Sequence, residues 1–299
     1  MIKNKDLKKL IDISDINTYP QPLLKLLKNH ENLLITYCDA TDYFAELRNE
    51  DSWFRWRSYN NRFADACINC FKDFNKILCN KTFMYVHYTR LLEREIQNIK
   101  AEGLKILSPQ LMEEKLKHLE GILDSNTIIN LKNEANKSFG SHAWMYTGER
   151  QNMVWVTTLK DSCCDYSGII HLLNNWGGEN IFKWERETNL LKNIGYPAFI
   201  IVKFSFEELS NLLPGSYDIA CGIIKCYMIG KHNKCFEWSL CNWNNQEICV
   251  NNSNEIHIHT NIDVKNIVDL YKWGDKFFNN TIHLDIMKNL CISNIINYK

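Results

Sequence analysis

The chain has no surplus of charge, since 35 lysines and arginines stand against 35 aspartates and glutamates. No global field therefore draws it to nucleic acid or to a membrane surface, although a local basic patch stays open. It has no run of about twenty apolar residues, the length a membrane-spanning helix needs. The opening stretch MIKNKDLKKLIDISD lacks the apolar segment and small-residue cleavage site of a signal peptide. The expectation is a cytoplasmic protein with no membrane partner. Internal repeats and low-complexity linkers are absent too. A length of 299 residues suffices for a full core. The expected division is a helical region over 1–80 and a β-rich region over 81–299.

Twelve cysteines are present, but they are scattered through a long chain without an export signal, which predicts reduced, mostly buried thiols. The C-x-x-C pair Cys67 and Cys70 falls in an apparent helix and has no second pair at zinc-ribbon spacing. His232, Cys235, Cys241 and Cys249 match no familiar zinc module either, so no metal is expected. The same segment reads as strands and turns.

What is present is organised around FMYVHYTRLLEREIQNIKAEGLKILS, residues 83–108. Aromatic and β-branched residues around His87 predict a strand. From Leu91, Leu92, Ile96 and Ile99 recur at helical spacing until Gly103 supplies a stop, and Leu104–Leu107 predicts a second short strand. Residues 109–137 carry leucines at helical spacing among many charges and predict a helical insertion. Strands are expected at 143–146, in MVWVTT from Met153, in YPAFIIVKFSF from Tyr196, and at Ile219–Ile229, and a closing helix near the C-terminus. In CCDYSGIIHLLNNWGGENIF an apolar helical piece leads to a Gly-Gly turn expected to expose Glu179 beside Trp176. In NEIHIH, alternation puts Ile256 and Ile258 on one face and His257 and His259 on the other. Histidines at i and i+2 on a strand suit either a metal or an exposed sheet face. SWFRWRSYNNRF interleaves aromatics with Arg55, Arg57 and Arg62. That pattern suits stacking on single-stranded nucleic acid or the packing face of an amphipathic helix.

His87 with Thr89, followed by a helix and Gly103-Leu104, an aromatic strand centred on Trp155, and Glu255 opening a late alternating strand together resemble the ADP-ribosyltransferase superfamily. The likeness is to its poly(ADP-ribose) polymerase and diphtheria-toxin branch, over roughly residues 80–275. It implies an α+β fold with a split β-sheet core, a helical N-terminal part and a helical insertion, and NAD as co-substrate. Departures are the helical insertion and a middle position where the branch usually has tyrosine. Here that position offers Trp155, with Tyr166 as the second choice. The resemblance implies that Glu255 stabilises an oxocarbenium-like transition state, as carboxylates do in glycoside hydrolysis. It also implies that His87 anchors the adenosine-side ribose or pyrophosphate with Tyr88 and Thr89 beside it, and that Trp155 or Tyr166 stacks on nicotinamide. Glu179 is a candidate for orienting or deprotonating the acceptor, and Arg150 for meeting the pyrophosphate. The expected activity is mono-ADP-ribosylation of a macromolecular acceptor, RNA, DNA or protein. By fold-level analogy it belongs to an intracellular toxin or antiviral defence effector, with an antitoxin protein as a further partner. The alternatives are an inactive nucleotide- or RNA-binding module and an NAD glycohydrolase.

Overall fold

The computed structural model of the chain describes residues 7–46, 61–137, 139, 152–159, 166–178, 190–213, 218–236, 239–241, 247–249, 255–282, 284–290 and 292. The expected strand at 143–146, the expected turn at 148–150 and most of SWFRWRSYNNRF lie outside these residues. Helices and a largely antiparallel sheet make up the fold, the α+β class. Two compact units are distinguished, one of residues 1–2, 85–203 and 257–299 and the other of residues 3–84 and 204–256. The chain passes from one to the other inside three of its strands.

Among the described residues, β1 (Thr82–Leu91), β2 (Val154–Thr157), β3 (Tyr196–Ser205), β6 (Glu255–Ile258) and β7 (Ile267–Lys272) form one sheet in the order β6-β2-β1-β3-β7. A second, two-stranded sheet joins β4 (Ser239–Cys241) to β5 (Glu247–Cys249). β1 runs antiparallel to β2 with Val86 opposite Thr157, and β3 runs antiparallel to β7 with a slip between Ile201 and Val202. Ala198 to Val202 are fully buried, which is why β3 reads as a nearly continuous apolar run and β6 as an alternating one.

In the first unit β1 gives way to α3 (Glu93–Glu102). The Glu95 side chain reaches back to the Leu92 backbone N–H at 2.7 Å. Leucine has no side-chain acceptor to return the bond, so only the acidic half of a capping box exists. Gly103 ends the helix at φ 85°, and a Cβ there would lie 2.1 Å from the Ile262 carbonyl oxygen. Only glycine tolerates both the dihedral and the approach. Leu104 then exchanges backbone hydrogen bonds with Ile262, 2.9 and 2.8 Å long. The expected strand at Leu104–Leu107 is thus corrected to a single bridge, because Gly103 and Pro109 leave no room for a ladder. The insertion forms two helices, α4 (Pro109–Lys117) and α5 (Ser125–Lys137), the first capped by Ser108, whose Oγ accepts from the Leu111 N–H. Met112, Leu116, Leu119, Leu131 and Ala135 pack with Leu92, Leu191, Ile194 and Trp176. The unit also holds α6 (Tyr166–Asn174) and, where one closing helix was expected, the short α9 (Lys276–Thr281) and α10 (Leu284–Lys288).

In the second unit α1 (Gln21–Glu46) and α2 (Ala64–Leu78) pack with α8 (Asp218–His232), and α7 (Phe206–Leu212) follows β3 through a full capping box of Ser205 and Glu208. The N-terminal helices therefore share their core with residues from the second half of the chain. The expected strand at Ile219–Ile229 is corrected to helix α8. Its buried residues Ile219, Ala220, Ile223, Ile224, Tyr227 and Met228 recur at helical spacing. Cys67 and Cys70 sit buried on α2, and burial pushes both thiols up to about 12.

Candidate active site

Three neighbouring strands carry the residues that the sequence singled out. His87 is on β1, Trp155 on the adjacent β2, and Glu255 opens β6 on the far side of β2. The His87 ring is half-buried, and its Nδ1 lies 2.8 Å from the Trp155 carbonyl oxygen. A carbonyl only accepts, so Nδ1 carries the proton and Nε2 keeps its lone pair in the neutral ring. Burial holds the His87 pKa below its ordinary value of 6.5, against the smaller upward pull of the Trp155 carbonyl, and nearby Lys115 lowers it further. A neutral imidazole of fixed tautomer suits the recognition of a donor such as a ribose hydroxyl.

Trp155 is half-buried between the buried Val154 and Val156. Its indole meets the ring of His257 edge to face, with centroids 4.7 Å apart and planes at 79°. His257 is exposed on β6 while Ile256 and Ile258 are buried, so the alternation read from the sequence is the one observed. Glu255 is half-buried and, by strand alternation, projects from the same face of β6 as His257. His87, Trp155 and His257 belong to the first unit, and Glu255 is placed in the second, two residues before His257.

The other expected site residues fall elsewhere. Tyr88 is buried with its ring 6.2 Å from that of Phe199, so it packs within the sheet core. Thr89 is half-buried, on the same side of β1 as His87 by alternation. Tyr166 begins α6, and Arg150 and Glu179 lie outside the described residues. Trp176, expected beside an exposed Glu179, is fully buried and donates from Nε1 to Glu95 at 2.8 Å. Of the arginines in the aromatic segment only Arg62 is described, with its guanidinium 4.8 Å from the ring centroid of Phe63. Among the described residues no group of three His, Cys, Asp or Glu side chains could hold a metal ion, and no helix is long and apolar enough to cross a membrane.

Sequence reasoning passed over three residues that shape this region. His257 was read only as half of a histidine pair, although its place two residues after Glu255 was the available signal. Arg90, on β1 three residues after His87, is fully buried, with Nε donating to the Ile194 carbonyl at 2.8 Å and Nη1 to the Leu173 carbonyl at 3.2 Å. It ties β1 to the end of α6 and to the turn before β3. That turn contains Gly195, at φ 68°, where a Cβ would lie 2.4 Å from the Leu91 carbonyl oxygen. Lys115 of α4 pairs with Glu95 and lies 5.2 Å from the Trp176 ring centroid. No family model, curated protein or solved structure matches the chain.

Proposed function

We propose that the protein is an ADP-ribosyltransferase that takes ADP-ribose from NAD and places it on a macromolecular acceptor inside the cell, as a toxin or defence effector does. One observation carries this reading. The strands bearing His87, Trp155 and Glu255 are consecutive neighbours in one sheet, with the aromatic strand in the middle. Residues about 70 and 100 positions apart in the chain are thereby collected on adjacent strands, and the split-sheet transferase architecture is the reading that uses all three.

In this scheme the N-glycosidic bond between nicotinamide and ribose breaks and its electron pair passes to the ring nitrogen, so nicotinamide leaves neutral. Positive charge develops on the ribose, and the Glu255 carboxylate stabilises it. The acceptor nucleophile then forms the new bond to the anomeric carbon and loses its proton to solvent or to a neighbouring base. His87 accepts a ribose hydroxyl at Nε2, with Thr89 beside it, and Trp155 stacks on the nicotinamide ring. The test is incubation with NAD labelled in the adenylate moiety and a cell extract. Label is expected in protein, RNA or DNA with the intact chain and not with Glu255→Ala. Free ADP-ribose with no labelled macromolecule would turn the reading to NAD hydrolysis, and unconsumed NAD would end it.

A further inference from the structure

We propose that His257 is a positioning residue for Trp155, setting the indole as a platform for a flat cationic heteroaromatic ring; this rests on the reading above and names the part of NAD that the platform selects. Trp155 is met from both neighbouring strands. From β1, His87 donates from Nδ1 to its carbonyl oxygen at 2.8 Å. From β6, the His257 ring meets its indole edge to face at 4.7 Å and 79°. Both separation and angle lie in the range where aromatic pairs attract through their quadrupoles.

A half-buried tryptophan on a strand has two side-chain torsions to settle, and backbone anchoring by His87 settles neither. The contact from His257 does, because the edge-to-face geometry is kept only for one placement of the indole. A perpendicular contact also covers at most one face of the indole, so His257 fixes the ring without taking both stacking faces. The electron-rich face attracts cations, and the pyridinium of NAD is a flat cation that is lost on release of nicotinamide. His257 stands on the outer face of β6, opposite the buried Ile256 and Ile258. Its replacement therefore leaves the sheet core untouched, which separates positioning from folding.

The measurement is calorimetric binding of NAD and of ADP-ribose, which lacks the pyridinium ring, to the full chain. His257→Ala is expected to weaken NAD binding about three- to tenfold, the size of one aromatic pair contact, and to leave ADP-ribose binding unchanged. His257→Phe, which keeps a ring at the contact, should restore NAD affinity to within about twofold. In a Trp155→Ala background His257→Ala should have no further effect. Equal loss for both ligands, no loss for either, absence of rescue by phenylalanine, or an undiminished effect in the Trp155→Ala background each overturns the positioning role. If the wild-type chain binds neither ligand, the NAD reading itself falls and this inference with it. Wild-type binding of both ligands with an unaltered His257→Ala variant removes the inference alone.

Discussion

Two glutamates, one in each unit, use the same hydrogen-bonding capacity in different surroundings. Glu95 is buried in the first unit, where it accepts from the Leu92 N–H at 2.7 Å and Trp176 Nε1 at 2.8 Å and pairs with Lys115. Glu31 is half-buried in the second unit and accepts from Tyr227 at 2.8 Å and His232 Nε2 at 3.0 Å, with Lys28 as its ion pair. Each carboxylate joins three partners, two of them brought from distant parts of the chain. The difference lies in what replaces a lost partner. Lys28, the ion-pair partner of Glu31, is 70% exposed, so water can replace that partner, whereas Glu95 and Lys115 are 6% and 15% exposed and lie beside the apolar cluster of Leu92, Leu116 and Leu191. Burial makes a network obligatory, while exposure makes it adjustable.

The largest test of this contrast is Glu95→Ala. It leaves the Trp176 indole N–H and the Leu92 N–H without acceptors and strands the Lys115 ammonium, whose side chain is 15% exposed. Breaking a buried pair by removing one partner costs about 3–5 kcal/mol, read as a drop in the urea midpoint at constant slope. Glu95→Gln, which keeps an acceptor for the indole but offers Lys115 no charge, should fall between. A loss no greater than that of a surface substitution would mean that water enters the cluster and that the contrast is false.

Arg90 extends the comparison to a buried cation. Its guanidinium serves the Ile194 and Leu173 carbonyls, so Arg90→Met fills the space yet deprives two buried acceptors of charged donors. Hydrogen bonds to charged groups contribute about 1.5–3 kcal/mol each. Relaxation at the end of α6 is expected to hold the measured loss to about 2 kcal/mol, again by urea unfolding. A neutral result would show that a buried charge here does no more than an apolar side chain of equal volume.

Legibility from the sequence divided along similar lines. The β1–α3–Gly103 unit was readable because each step is local: a β-branched and aromatic run, leucines and isoleucines at helical spacing, and a glycine at the stop. β3 announced itself by an unbroken apolar run and β6 by alternation. Helix α8 was misread because IACGIIKCYMIG is apolar nearly all round and rich in β-branched isoleucine. Only its length and the four-residue recurrence of its buried positions argue for a helix. β7 was read through, since IVDLYK alternates only in part. The strand order β6-β2-β1-β3-β7 was not readable at all, because β2 and β6 are about 100 residues apart and nothing local specifies that pairing. The candidate site was legible as residue types in chain order, His87, Trp155 and Glu255. The partner of Trp155 was not, since ring contacts between strands require the pairing first.

Proton linkage gives a smaller test, again split by burial. The pKa of His87 is depressed by burial below its ordinary 6.5, so the unfolded chain binds a proton there before the folded chain does. Stability carried by the neutral ring is complete above about pH 6.5 and falls as pH drops toward the folded value. His87→Gln should flatten that part of the stability profile between pH 7 and 5. A ring that titrates near 6.5 by NMR would mean that water reaches it and that the Trp155 carbonyl is not its lasting partner.

The smallest expected effect is that of Glu31→Gln. Hydrogen bonds from Lys28 and Tyr227, with a further one from His232, hold the Glu31 pKa at about 2, below its ordinary 4.5, against a lesser upward push from burial. Tyr227 responds in kind, with burial and its bond to the carboxylate raising it to about 12. Because the folded pKa is the lower one, the contribution of Glu31 is fully present above about pH 4.5 and is lost as pH falls toward 2. At pH 7 the glutamine variant should lose less in urea midpoint than Glu95→Ala does, because its amide oxygen still accepts from Tyr227 and water takes up the Lys28 ammonium, whose side chain is 70% exposed. The two profiles should converge further as acid removes the charge that distinguishes them. If Glu31→Gln instead destabilises the chain at pH 7 as much as Glu95→Ala does, solvent access is not what separates the two clusters, and the number of partners gathered by each carboxylate becomes the better guide.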